Sequence, residues 1–201
     1  EMGWLPEERG HVFEPTEPVD ILQTPALVGH EKYGGTSKYA VGLWRYGNHV
    51  PDQFDVDANG DPLQTRSQGA YLLAERTLFG LDAAGRDFTA FARYSTSDGN
   101  STAFDNMWNI GARLRGPIAS RLNDALAIGW TRSHLAPKYR AAQAAAGTDT
   151  AASEEMLEIT WRAALTPWFA LQPVLQAIWH PGGAVNAPRT TILGARIEIA
   201  I

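Results

Sequence analysis

The end of the chain constrains its fold more sharply than any other part. Ile192, Gly194, Arg196 and Glu198 fall on one face of an extended segment. Thr191, Leu193, Ala195, Ile197, Ile199 and Ile201 fall on the other. A period of two marks a β-strand, because successive side chains leave opposite faces of the pleat. The same alternation recurs upstream. Leu157, Ile159, Trp161, Ala163 and Leu165 oppose Met156, Glu158, Thr160 and Arg162. Trp108, Ile110, Ala112 and Leu114 oppose Asn109, Gly111, Arg113 and Arg115, and Leu126, Ile128 and Trp130 oppose Ala127, Gly129, Thr131 and Ser133.

Strands are accordingly expected at 25–31, 38–47, 68–79, 86–96, 106–116, 124–134, 154–165, 169–179 and 189–201, each bounded by Gly, Pro, Asp or Asn. One Ala-rich stretch, 139–146, reads as a helix. Most of the strands have the length of about ten residues that a tilted strand needs to cross a bilayer. No apolar run is long enough for a transmembrane helix, which says nothing against crossing by alternating strands.

Alternation alone also fits a soluble sandwich with its apolar face inward. Three features favour a membrane. Connections alternate in length: 48–67, 97–105, 135–153 and 180–188 are longer, whereas 80–85, 117–123 and 166–168 are short. Outer-membrane barrels pair long external loops with short periplasmic turns. Trp44, Trp108, Trp130, Trp161, Trp168 and Trp179 stand near strand ends or on the apolar face, as interfacial girdles do. The alternation also runs to the last residue, where soluble domains usually fray.

Composition removes other classes. The 201 residues carry a net charge of −5, which argues against a nucleic-acid partner. The absence of cysteine excludes disulfides and thiol chemistry. The chain opens on Glu1 with no leader pattern, so it is expected to be a processed product or a fragment. Residues 1–24, rich in Glu and Pro, are expected to form an external loop segment, and 25–201 the strands.

Several segments resemble the carbohydrate-selective porin family, the OprB-type porins. They are YAVGLWRYG at 39–47, GAYLLAERTLF at 69–79, FTAFARYSTSDGN at 88–100 and GARLRGPIASRLNDALAIGW at 111–130. EEMLEITWRAALTPWFALQPVLQAIWHPGG at 154–183 and LGARIEIAI at 193–201 continue the likeness. The resemblance implies a sixteen-stranded antiparallel transmembrane β-barrel in the bacterial outer membrane. It implies a monomer or trimer that admits monosaccharides and related small solutes, without a cofactor. This chain would supply the C-terminal eight or nine strands. It departs from the family in ending on Ile201 rather than an aromatic residue, and in carrying Arg76 where Gln is common.

A porin makes no covalent bond; its lumen must replace part of a solute's hydration. Parity places Glu75, Arg93, Arg113, Arg115, Glu158, Arg162, Gln172, Gln176, Arg196 and Glu198 on the polar, inward face. Arg donors and carboxylate or amide acceptors suit hydroxyl-rich sugars, although such residues also pair across strands simply to build a polar wall. Arg93, Arg113 and Glu158 are the foremost candidates, read as mid-strand. Arg76 falls on the opposite face. Residues 55–61 open like a calcium loop, but Arg66 stands where the twelfth-position acid belongs, so a solvated turn is expected and no metal site. No catalytic triad order is present, and an enzyme is not expected. The alternative reading is a soluble β-barrel or sandwich that binds a small apolar ligand.

Overall fold

The computed structural model describes residues 27–30, 36–80 and 86–200. The segment 1–24, the ends of the first expected strand and Ile201 lie outside them. Nine strands form one antiparallel sheet: β1 (Leu27–His30), β2 (Thr36–Arg45), β5 (Gln68–Gly80), β6 (Asp87–Ser97), β7 (Phe104–Arg115), β8 (Ala125–Leu135), β9 (Ser153–Thr166), β10 (Phe169–Trp179) and β11 (Thr190–Ile199). Each pairs with the next, so the sheet is a meander whose open edges are β1 and β11. All nine coincide with strands expected from alternation.

Two strands were not expected. Within 48–67, read as a loop, β3 (Val50–Val56) and β4 (Pro62–Thr65) form a separate hairpin. Pro51, Pro62 and the aspartates obscure its period. The available signal was the Asn59–Gly60 turn dipeptide between apolar Phe54, Val56 and Leu63. The helix α1 covers Pro137–Ala145, with Pro at its first turn, where a missing N–H costs nothing.

One sheet face is apolar and uncovered. Val41 and Leu43 of β2, Leu72 of β5, Ile110 of β7, Ile128 of β8 and Ile159 of β9 are all exposed; on β11, Leu193 is 81% exposed. Among the described residues no second layer covers this face, and fully buried apolar side chains are few. A water-soluble sheet would bury such a face, whereas a lipid-facing wall leaves it open. Tyr94 and Trp108 meet on it at 4.6 Å between ring centroids.

The two ends of the sheet differ. At the short-turn end, the β7–β8 connection folds around Asp124, whose side chain is 1% exposed. Its carboxylate accepts from Arg121 Nε at 2.7 Å and Nη2 at 3.1 Å, Trp161 Nε1 at 3.0 Å and the Ala164 amide at 2.9 Å. The β8–β9 ladder has already ended at Arg162, so the carboxylate takes up a β9 amide beyond it. Burial pulls this carboxyl upward, but these donors outweigh it and hold it below the usual range.

Asp124→Ala should therefore destabilise the folded protein by about 2 kcal/mol or more, because three groups lose a buried acceptor. A urea titration of the detergent-refolded protein reads this. A depressed folded-state pKa contributes stability that is complete above the unfolded value of about 4 and is lost as pH falls through the folded value. The wild-type midpoint should thus fall under acid more steeply than that of Asp124→Ala.

Candidate functional site

Cross-strand register decides which side chains share a face, because directly paired residues point the same way. One register line runs Lys38, Glu75, Phe91, Gly111, Gly129, Glu158, Gln176 and Ile192 across eight strands. Another, nearer the short turns, runs Asp87, Arg115, Ala125, Arg162 and onward to Gln172 and Arg196. Arg93 pairs with Leu73 and Asn109, Arg113 with Thr89 and Ala127, and Glu198 with Ala170. All ten residues singled out by parity therefore share one face. Arg76 pairs with Ser37 and Ala90 on the other, as expected.

The ten do not form one cluster. Arg93 and Glu158 stand mid-strand, on strands three apart, hence about 14 Å across the sheet. Arg113 stands only two residues from the end of β7, closer to the turns than its sequence position suggested. Some of the ten are satisfied within the wall. Arg162 reaches over β10 to Glu198, with Nη2 at 2.8 Å and Nε at 2.9 Å from Oε2. Gln176 Nε2 donates to Glu158 at 2.6 Å, Gln172 Nε2 to Thr160 at 2.8 Å, and Arg113 Nη2 reaches Asp87 at 3.3 Å. Asn109 donates to Thr131 at 2.6 Å, extending the polar face beyond the ten. No ion pair within the described residues involves Glu75, Arg93, Arg115 or Arg196.

At the long-loop end, connections knit together above the strands. The Gln53 amide on β3 donates to the Asn100 carbonyl at 2.8 Å, and its side-chain amide reaches Ser101. The Ala136 amide donates to Ala103, and the Ala151 amide to Gly183, each close to 2.9 Å. Lys138 of α1 lies 2.7 Å from both Asp52 and Asp55 of β3. Burial of Asp52 pulls its carboxyl upward. Lys138 and the Asp55 and Phe54 amides outweigh that, leaving it below the usual range. Asp57 spends its carboxylate on the Asn59 and Asp61 amides of its own turn. Among the described residues no three metal-ligating side chains converge.

The expected aromatic placement holds for Trp108, Trp130, Trp161 and Trp179, which register on the apolar face. Trp44 stands at the end of β2 but on the polar face, opposite Gly69. Tyr71 and Phe91 share that polar face and were not singled out. Counting parity through β5 and β6 would have found them.

An antiparallel meander with one bare apolar face, one charged face, short turns at one end and knitted loops at the other is the wall of an outer-membrane β-barrel. The model of the carbohydrate-selective porin, OprB family, matches residues 1–200, and the chain belongs to that family. Porin B of Pseudomonas aeruginosa is 24% identical over 204 residues, covering 90% of this chain and 44% of the relative. A high-pH structure of Pseudomonas putida OprB matches with a TM-score of 0.76 at 21% identity, over 87% of this chain and 46% of that one. At this identity the structural likeness shows the fold. The chain spans less than half the length of either relative. Its location is the outer membrane of a Gram-negative bacterium.

The Lys138 contacts give a local test. Lys138→Ala should raise the rate of protease cleavage within 46–67 about fivefold, because it frees the hairpin from α1 without touching the sheet. Limited proteolysis followed by mass spectrometry of the fragments measures it. In the wild-type protein the same loosening should appear only as pH falls below the ordinary carboxylate range, where Asp52, held low by Lys138 and its neighbouring amides, takes up a proton.

Proposed function

We propose that this chain supplies the C-terminal half of a porin barrel. Its polar face lines the path by which small carbohydrates, monosaccharides above all, diffuse passively across the outer membrane. The observation that carries this reading is the two-faced sheet. Ten Arg, Glu and Gln side chains share the face opposite a bare apolar wall. A neutral sugar gives up water hydrogen bonds on entering a narrow lumen. Forked guanidinium donors and carboxylate or amide acceptors replace them. Glu75, Arg93, Arg115 and Arg196, which make no ion pair among the described residues, are the groups that do so. The paired ones, Arg162 with Glu198 and Gln176 with Glu158, hold the wall's shape.

In this reading the long connections face outward, and the short turns face the periplasm. Lipid is the partner of the apolar face. The protein performs no covalent chemistry, and the remaining strands complete the barrel. The soluble alternative requires the apolar face to be buried, and the exposure of Leu193, Ile197 and Ile199 counts against it.

Liposome swelling with the intact barrel tests the proposal. Glucose should enter and larger oligosaccharides should not. Arg93→Ala with Glu75→Ala should slow glucose entry about tenfold if the mid-wall groups replace hydration, that is, about 1.4 kcal/mol of barrier. Equal entry of glucose and a hexasaccharide, or no entry at all, would overturn it.

A further inference from the structure

A proline stands inside the wall, on a strand with neighbours on both sides. β10 pairs with β9 on one flank and β11 on the other. Proline has no N–H, and within sheets it is confined almost wholly to edges and bulges. Register tells which neighbour loses a bond at Pro173. The Ala200 amide donates to the Trp168 carbonyl across β10 and β11. Backbone groups alternate sides along a strand, so even-numbered residues of β10 aim theirs at β11 and odd-numbered ones at β9. Pro173 therefore faces β9, where register sets Trp161 opposite it. The Trp161 carbonyl gains no ladder donor from it. The β9–β10 pairing accordingly lapses after Leu171↔Ala163 and resumes at Val174↔Thr160, with the register unchanged. Gln172 and Pro173 keep their partners on β11, Arg196 and Ala195.

Side chains on the polar face bridge this lapse. The buried Thr160 hydroxyl donates to the Pro173 carbonyl at 3.1 Å. Gln172 Nε2 donates to the same hydroxyl oxygen at 2.8 Å. Arg162, opposite Gln172 in register, passes over β10 to Glu198 of β11. On the apolar face Pro173 is exposed, and Trp161 turns its indole N–H to Asp124 at the foot of β8.

We infer that β9 and β10 form a breathing seam at Pro173, latched from the polar side by Thr160, Gln172, Arg162 and Glu198. A continuous ladder resists parting because each bond is backed by the next along the strand. A missing bond removes that backing at one height. The seam parts there while the β8–β9 and β10–β11 ladders stay closed, and the cylinder changes girth at that height. The Arg162 and Glu198 side chains are each more than a third exposed, so dissolved salt reaches the latch and screens it. The seam follows from backbone geometry, goes beyond the sugar path proposed above, and holds whichever solute passes. It gives Gln172, Arg162 and Glu198 a part in wall motion rather than in solute contact.

Residue-resolved amide hydrogen exchange on the intact barrel in detergent micelles tests this. The amides of Ile159, Trp161, Ala163, Leu171 and Leu175 face the seam, and those of Thr160, Arg162, Gln172 and Val174 face the outer ladders. The first set should exchange about tenfold faster than the second, and faster still in raised potassium chloride. Thr160→Val and Glu198→Gln should each speed the first set about fivefold more, whereas Thr160→Ser should not. Pro173→Val supplies the missing N–H. It should bring the two sets level and abolish the effect of Glu198→Gln. Open-channel current noise in planar bilayers should rank the same way, highest in Glu198→Gln and lowest in Pro173→Val. Equal exchange of the two sets in the wild-type barrel would overturn the seam. An undiminished effect of Glu198→Gln alongside Pro173→Val would overturn the latch, because the contact would then be ordinary wall-building. Equal noise in wild type and both variants would overturn the change of girth.

Discussion

In hydrocarbon a backbone amide has no water to fall back on, so every N–H and C=O in a spanning segment must be paired inside the protein. Everything else in this chain follows from that demand. An antiparallel meander meets it with the shortest connections, each strand satisfying the next from β1 to β11. Once the ladders are obligatory, register is fixed, and register then dictates which side chains meet lipid. The sequence obeys this across eight strands. A slip of one residue in β7 or β9 would turn Arg113 or Glu158 outward and Ile110 or Ile159 inward.

Where the ladder stops, side chains take over its task. Asp124 receives the Ala164 amide past the last β8 partner, and gathers Arg121 and Trp161 at the same point. A carboxylate can accept several donors at once, which a single carbonyl cannot do as readily. That capacity suits it to the corner between three strands. The long-loop end uses weaker and more distributed bonds, mainly single amides and the Lys138 ion pairs. The wall is thus pinned at one end and only tied at the other.

The nine sheet strands and their facing were readable because period-two alternation is a direct imprint of burial on one side, and Leu157 through Arg162 carry it plainly. The helix was readable from its alanines. The β3–β4 hairpin was not, because Pro51 and Pro62 interrupt the strand signal and Asp52 is spent on Lys138 of α1. Among the polar residues, parity gave the face correctly and the position along the strand less well. Arg113 was displaced toward the turns because β7 ends at Arg115, a boundary that alternation does not mark. Which of the ten are paired was hidden altogether. The Arg162–Glu198 contact spans two strand steps, and no local spacing encodes it. Asp124 sat in a segment that reads as an ordinary turn, and its role depends on Trp161, thirty-seven positions away.

The meander also carries an arithmetic of direction. Nine antiparallel strands in sequence leave β1 and β11 running the same way. Joined to each other, these edges would make a parallel seam with slanted hydrogen bonds and a different stagger. An all-antiparallel closure therefore calls for an odd number of further strands between them, so that the total is even. The direction of its first and last described strands thus limits which cylinders this sheet can complete.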